Sequence, residues 1–162
     1  MSYPEPVYTG ETGEASATFR RADQVPELPY RSGNAVSYLA TGASTNGQFG
    51  LYRWDFSAAT GGPSPHFHRT ISESFFILSG TVRLYDGREW VDAKSGDFSF
   101  VPEGGIHAFR NESGEPASML ILFAPGAPRE EYFETLSEVA NGLVLTEEEK
   151  TEFYLRHDTY WR

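Results

Sequence analysis

The stretch His66-Phe67-His68, followed by Glu73 and Gly80, contains two of the four histidines of this 162-residue chain. Residues two apart in a β-strand point to the same face, so both imidazoles can be aimed at one point. Glu73 follows after a short stretch that is able to turn the chain and bring a carboxylate back towards them. This spacing predicts one half of a metal site carried on β-strands.

A second run contains Gly96, Pro102, Gly104, His107 and Asn111. Pro102 and Gly104 bracket a tight turn, and His107 opens the next predicted strand. A hairpin between the two runs could place His107 beside the first three ligands. Three imidazoles and one carboxylate suit one divalent transition metal ion, whether iron, nickel, manganese, cobalt, copper or zinc. Four protein ligands leave two positions of a six-coordinate ion open, which is typical of a catalytic site.

The composition excludes several other classes of protein. The chain has no cysteine, which rules out disulfides, cysteine-ligated zinc, iron–sulfur clusters and thiol nucleophiles. Its formal net charge of −10 repels phosphate backbones and anionic membranes, so we expect neither a nucleic-acid nor a membrane partner. The first ten residues carry no signal-peptide pattern, and the longest strongly apolar run, 119–124, is too short to span a bilayer. We therefore expect a cytoplasmic protein.

The middle of the chain is predicted to be β-structure. From residue 35 onwards, short runs rich in β-branched and aromatic residues alternate with turn residues. The predicted strands are 35–41, 49–56, 73–78, 81–85, 90–92, 98–101, 107–111 and 118–123. Many short strands at fairly even spacing favour an all-β sandwich or barrel made of antiparallel pairs.

The two ends have a different character. Residues 1–34 are predicted to form an N-terminal arm with one short strand at 15–19. After Pro125 the apolar residues recur at helical spacing, and Thr146 followed by Glu149 is a capping-box pattern. The apolar positions assigned to the two predicted helices are Tyr132, Phe133, Leu136, Val139 and Ala140 in the first, and Phe153, Tyr154 and Tyr160 or Trp161 in the second.

The two histidine-bearing runs together resemble the paired signature of the cupin superfamily. The first run matches in the spacing of every ligand, and the second matches at every marked position; one departure is Thr60, where the leading glycine of the first motif would fall. More loosely, 40–49, 63–65 and 129–134 look like single-domain cupins related to quercetin 2,3-dioxygenase. The resemblance implies a jelly-roll (double-stranded β-helix) barrel over 35–125 with a C-terminal helical appendage over 126–162.

The resemblance also implies an activity. It predicts a metal-dependent dioxygenase acting on a phenolic or enolic small molecule, such as a flavonol or a polyketide, with O2 as co-substrate. His66, His68 and His107 would anchor the ion, and Glu73 would be both ligand and catalytic base. Two alternatives stay open: a non-redox metal-dependent cyclase, isomerase or lyase, and a small-molecule-binding barrel without turnover. By analogy with such cupins, we also expect a homodimer.

Strand parity predicts which aromatic and aliphatic side chains face the ligands. Phe75 and Ile77 share the parity of Glu73, and Phe109 shares that of His107. Further candidates for the substrate pocket are Phe49, Tyr52, Trp54 and Phe100. Because barrel interiors are filled by side chains in any case, core packing is the alternative interpretation for all of them.

Overall fold

The computed structural model describes residues 2–162, in which strands occupy the middle of the chain and helices follow Pro128. The strands are β1 (Leu28–Pro29), β2 (Ala35–Ala40), β3 (Gly50–Phe56), β4 (His66–Phe67), β5 (Ser72–Ser79), β6 (Thr81–Tyr85), β7 (Trp90–Lys94), β8 (Phe98–Val101), β9 (Ala108–Arg110), β10 (Ala117–Ala124) and β11 (Tyr160–Trp161). The helices are α1 (Arg129–Ala140) and α2 (Glu147–Arg156). The predicted all-β architecture with a helical C-terminal segment is confirmed.

Two antiparallel sheets form the barrel. The larger sheet has the strand order β1-β2-β3-β10-β5-β8, and the smaller has the order β7-β6-β9. Isolated bridges between His66 and His107, and between Gly61 and Asn111, continue the smaller sheet towards β4. Strand β4 in turn pairs with β11, so the end of the chain lies beside the first histidine run.

The core lies between the two sheets. Along β3 every second residue is buried, as expected for a strand with one face in a core. The ring of Phe109, on the smaller sheet, lies 6.0 Å from the ring of Trp54 and 5.6 Å from that of Phe75, both on the larger sheet. These edge-to-face contacts fix the spacing of the sheets, and with it the separation of the groups that each sheet carries inward.

The N-terminal arm has no strand at 15–19, so that prediction is wrong. Residues 2–27 contain neither helix nor strand, and Phe19 is 86% exposed. A strand requires a partner with free backbone groups, and this segment contacts none. The first strand is instead β1, in which Leu28 pairs with Val36.

The second helix begins where the sequence predicts, at the capping box of Thr146 and Glu149. The first helix follows Pro128. The two helices contact each other through Tyr132 and Phe153, whose rings stack 5.3 Å apart. Within residues 2–162, neither helix has the length and apolar character that a membrane crossing requires.

The second helix is shorter than the apolar pattern suggests. Helix α2 ends at Arg156, and Asp158 takes a left-handed backbone conformation with φ of 52°. This turn redirects the chain, so Tyr160 and Trp161 form β11 rather than the apolar side of a helix. In β11, Tyr160 pairs with Phe67 and Trp161 with His66, so this segment forms its backbone hydrogen bonds with β4.

Two glycines at tight turns should respond differently to alanine. Both Gly80 and Gly96 have a positive φ, but a Cβ on Gly80 would lie 2.6 Å from the carbonyl oxygen of Pro116, whereas a Cβ on Gly96 meets open space. We expect Gly96→Ala to lower the free energy of unfolding by about 1 kcal/mol through the left-handed backbone alone. Gly80→Ala should cost clearly more. Urea unfolding followed by tryptophan fluorescence measures both, and equal losses would contradict the steric argument.

Candidate metal centre

Four buried side chains converge between the two sheets. His66 and His68 lie in and just after β4, and His107 lies one residue before β9, whereas Glu73 comes from β5 of the larger sheet. Their residues are 4%, 2%, 1% and 3% exposed, respectively. One ligand atom from each lies within 4.8 Å of the ligand atoms of the others. The structure thus brings together the four residues that the spacing singled out.

Backbone carbonyls orient the three imidazoles. The Nδ1 atoms of His66, His68 and His107 contact the carbonyl oxygens of Ser64 (2.8 Å), Asp158 (2.6 Å) and Gly105 (2.9 Å), respectively. A carbonyl oxygen can only accept a hydrogen bond, so Nδ1 carries the proton and donates it. In the neutral imidazole the lone pair is then on Nε2, which is the tautomer that a metal ligand requires.

The Glu73 carboxylate is the centre of the cluster. Its Oε2 lies 3.1 Å from Nε2 of His68 and 2.7 Å from Nε2 of His107. Carboxylate oxygens and unprotonated imidazole nitrogens all present lone pairs, so this packing is favourable only with a proton or a metal cation among them.

The pKa values of the clustered groups show the same need for positive charge beside Glu73. Burial alone would raise the pKa of Glu73, but the attraction and hydrogen bonds of His107 and His68 outweigh burial and hold that pKa well below its usual value. Burial alone would lower the pKa of His107, but Glu73 outweighs it and raises that pKa. Burial, followed by repulsion from His107, lowers the pKa of His66 to about 4, so its Nε2 remains a free lone pair near neutral pH.

The donor set therefore fits one divalent transition ion. Three neutral imidazoles and one carboxylate are ligands that iron, nickel, copper, manganese, cobalt and zinc accept. Each imidazole is oriented by a backbone acceptor, as is usual for histidines that bind metals. The cluster contains no feature that selects among these ions.

A cavity of about 300 Å³ opens beside the four residues. Glu73 and His66 form part of its wall, and the remainder is largely aromatic. The aromatic side chains that enclose it include Trp54, Phe109, Phe123, Phe133, Tyr154 and Trp161. The cavity and the metal-ligand cluster are thus parts of one site.

Of the seven side chains predicted to line a substrate pocket, Phe109 and Trp54 border this cavity. Phe75 lies behind the cluster, with its ring 6.0 Å from that of His107, and Ile77 is fully buried in the core. Tyr52 is also in the core, where its hydroxyl donates to Glu130 at 2.5 Å. Phe49 precedes β3 and stands outside the cavity wall.

The assignment of Phe100 to the pocket is wrong. Phe100 is 59% exposed on the outer face of β8. In the β5–β8 pairing, Glu73 is opposite Val101 and Ser74 is opposite Phe100. Because paired residues share a face of the sheet, Val101 points inward with Glu73 and Phe100 points outward.

The C-terminal segment contributes to the site in a way that the sequence did not reveal. The carbonyl of Asp158 accepts the hydrogen bond that orients His68. Its carboxylate accepts the backbone N–H groups of Arg69 at 3.0 Å and of Thr70 at 2.7 Å. Asp158 thus fastens the end of the chain onto the loop after β4. No local sequence pattern predicts this role, because His68 and Asp158 are about ninety positions apart.

Comparisons with known proteins agree with the geometry. The cupin domain family matches residues 53–123. An uncharacterized protein of Streptomyces coelicolor is 30% identical over 95 residues, which cover 59% of this chain and 86% of that protein. The chain belongs to the cupin superfamily.

Two further relatives match over shorter parts of their length. An uncharacterized protein of Aquifex aeolicus is 38% identical over 61 residues, covering 38% of this chain and 50% of that protein. The quercetin 2,3-dioxygenase of Bacillus subtilis is 28% identical over 80 residues, covering 49% of this chain and 23% of the enzyme. The chain thus spans half of the first relative and about a quarter of the second.

Solved structures show the same fold. A predicted oxalate decarboxylase of Thermotoga maritima superposes with a TM-score of 0.58 and 19% identity, covering 67% of this chain and 99% of the other. A Klebsiella pneumoniae protein with a double-stranded β-helix domain gives a TM-score of 0.51 and 18% identity, covering 62% and 84%. At these identities the likeness establishes the jelly-roll fold alone.

Metal binding can be tested directly. We expect the purified chain to take up one divalent transition ion, because one ligand atom from each of four buried residues converges there. Glu73→Gln, which keeps the size but removes the charge, should weaken binding by at least about 100-fold. The same substitution at the exposed Glu148 on α2 is the control and should leave binding unchanged. Titration calorimetry and metal analysis measure both variants, and equal uptake by wild type and Glu73→Gln would refute the site.

The role of Asp158 gives a separate prediction. Asp158→Gly keeps a backbone that tolerates the positive φ but removes the carboxylate that fixes the loop after β4. We expect metal affinity to fall about tenfold, because the carbonyl that orients His68 is no longer held in place. The metal affinity of Asp158→Asn, which retains one acceptor oxygen, should lie between that of wild type and that of Asp158→Gly. Unchanged affinity in both variants, measured by competition with a metal-binding dye, would show that the C-terminal segment does not support the site.

Proposed function

We propose that this cupin is a metal-dependent oxygenase acting on a phenolic or enolic small molecule. The observation that carries the proposal is the double position of Glu73, which belongs to the ligand cluster and also forms part of the cavity wall. A substrate in the cavity would therefore meet the ion and a carboxylate base at the same end.

His66, His68, Glu73 and His107 would hold the ion. When bound, a divalent transition ion supplies Lewis-acid stabilisation of a substrate oxyanion and, where it is redox-active, electron exchange with dioxygen. The contribution of the protein is to fix the three imidazoles in advance through backbone carbonyls.

Glu73 is suited to take a proton from an acidified hydroxyl. A carboxylate whose pKa is held well below its usual value is ionised at neutral pH, yet it is a weak base. A phenol or enol loses its proton more readily than an ordinary alcohol, so a weak base restricts the reaction to such acidic hydroxyls. This restriction supports the phenolic or enolic character of the proposed substrate.

The cavity favours a compact, planar substrate. A volume of about 300 Å³ is at the lower end for small-molecule pockets. Rings such as Trp54, Phe109 and Phe133 offer flat apolar surfaces on which an aromatic or conjugated molecule can pack. The similarity to a quercetin 2,3-dioxygenase over 80 residues supports dioxygen as the second substrate.

Oxygen uptake tests this proposal. Metal-loaded protein should consume dioxygen with a flavonol or a simpler enol, and Glu73→Gln should slow uptake by at least about 100-fold because the base is lost. Metal content measured in the same samples separates loss of the base from loss of the ion, and Glu148→Gln is the control. An oxygen electrode records the rates.

The other outcomes would replace the proposal. Turnover that survives strict anaerobiosis would contradict an oxygenase and identify a non-redox cyclase, isomerase or lyase. Bound metal without turnover across a broad panel of phenols and enols would identify a binding protein.

A further inference from the structure

Arg129 is a buried cation in the cavity wall. It is the first residue of α1, it is 3% exposed, and it lines the same cavity as His66 and Glu73. Its Nη1 donates to the carbonyl of His157 at 2.8 Å, whereas its Nε is fully buried without a hydrogen-bond partner. No ion pair among residues 2–162 includes Arg129. A buried guanidinium without a counter-charge is costly to maintain.

The guanidinium lies next to the metal-ligand cluster. Its central carbon is 4.0 Å from the ring centre of Tyr132 and 4.9 Å from that of Phe123. Phe123 is the cross-strand partner of Glu73, so these two side chains are neighbours on one face of the sheet. The aromatic faces offset part of the cost of burying the cation, but they supply no acceptor for its N–H groups.

We propose that Arg129 recognises a carboxylate on the substrate, so that the substrate is a phenolic or enolic acid. This inference rests on the proposed function, because it assigns the two ends of one molecule to one site: a hydroxyl to Glu73 and the ion, and a carboxylate to Arg129. A guanidinium has five N–H donors in a planar fork that matches a carboxylate, and one of them is already used by His157.

The charge of the whole chain strengthens the argument. At a net charge of −10, the overall field of the protein repels anions. Attraction for a carboxylate must therefore come from a local cation, either a bound ion or a side chain of the cavity wall. Among the residues that line the cavity, Arg129 alone is an arginine or lysine, so a preference for acids that persists without the ion should depend on this one side chain.

Arg129 also has a structural contact, and the experiment must separate the two roles. Its hydrogen bond to His157 joins the start of α1 to the end of α2. If Arg129 served only to make this hydrogen bond, its substitution would lower the stability of the fold. It would not change the relative affinity for charged and neutral ligands.

The test compares benzoate with its neutral isostere benzamide. Both fit the cavity, and Trp54 and Trp161 in its wall report binding through their fluorescence. The full chain is titrated as purified and again after treatment with a chelator, because benzoate could otherwise bind through the ion. We expect wild type to bind benzoate about tenfold or more tightly than benzamide in both forms. Arg129→Gln should bring the two affinities within about twofold of each other.

Two further variants keep the result interpretable. Arg129→Lys retains the charge without the fork, so part of the preference should remain even if Arg129→Gln folds poorly. Arg156→Gln is the matched control, since Arg156 lies on α2 with its side chain 61% exposed and should have no effect. Far-UV circular dichroism checks the fold of each variant.

Three outcomes would overturn the inference: equal binding of the two probes by wild type, a preference that survives Arg129→Gln, or a preference seen only with the ion present. None of these depends on oxygen uptake. If oxygen uptake fails while the Arg129-dependent preference stands, the oxygenase proposal is refuted and the acid-binding site remains.

Discussion

The buried carboxylate of Glu73 lies between the Nε2 atoms of His68 and His107, at distances of 3.1 and 2.7 Å, with 3% of the residue exposed. A carboxylate in such a place is stable only beside positive charge, and the imidazoles supply that charge only by binding a proton or by sharing a cation with it. The low pKa of Glu73 and the raised pKa of His107 are two consequences of this one constraint.

This need for positive charge beside Glu73 constrains how the two sheets of the barrel pack. The carboxylate comes from the larger sheet, whereas the imidazoles come from β4, from the residue after it and from the residue before β9 of the smaller sheet. The site therefore forms only when the two sheets pack at the right distance. Contacts of Phe109 with Trp54 and Phe75 set this distance. The backbone carbonyls that accept a hydrogen bond from each Nδ1 then fix the orientation of each imidazole and of its Nε2 lone pair.

The C-terminal segment completes the surroundings of the four converging residues. The carbonyl of Asp158 orients His68, and Arg129 and Phe133 of α1 contribute to the cavity wall. A carboxylate, a guanidinium and flat apolar walls thereby enclose one volume of about 300 Å³. This combination links the phenolic or enolic chemistry proposed for Glu73 to the carboxylate proposed for Arg129.

By itself the sequence indicated the four residues that converge in the candidate metal centre, the positions of eight strands and the start of the second helix. These features follow from local rules: the spacing of histidines in a strand, the turn residues between strands, and the capping box of Thr146. They need no knowledge of distant partners.

Tertiary structure alone decided which rings border the cavity, which strand residues 160–161 pair with and what Arg129 faces. The outward position of Phe100 follows from the pairing of β8 with β5, and the strand at Tyr160 and Trp161 exists because β4 offers it backbone partners. Such pairings join segments that are far apart in the chain, and their free energy comes from packing and hydrogen bonds that no local pattern encodes.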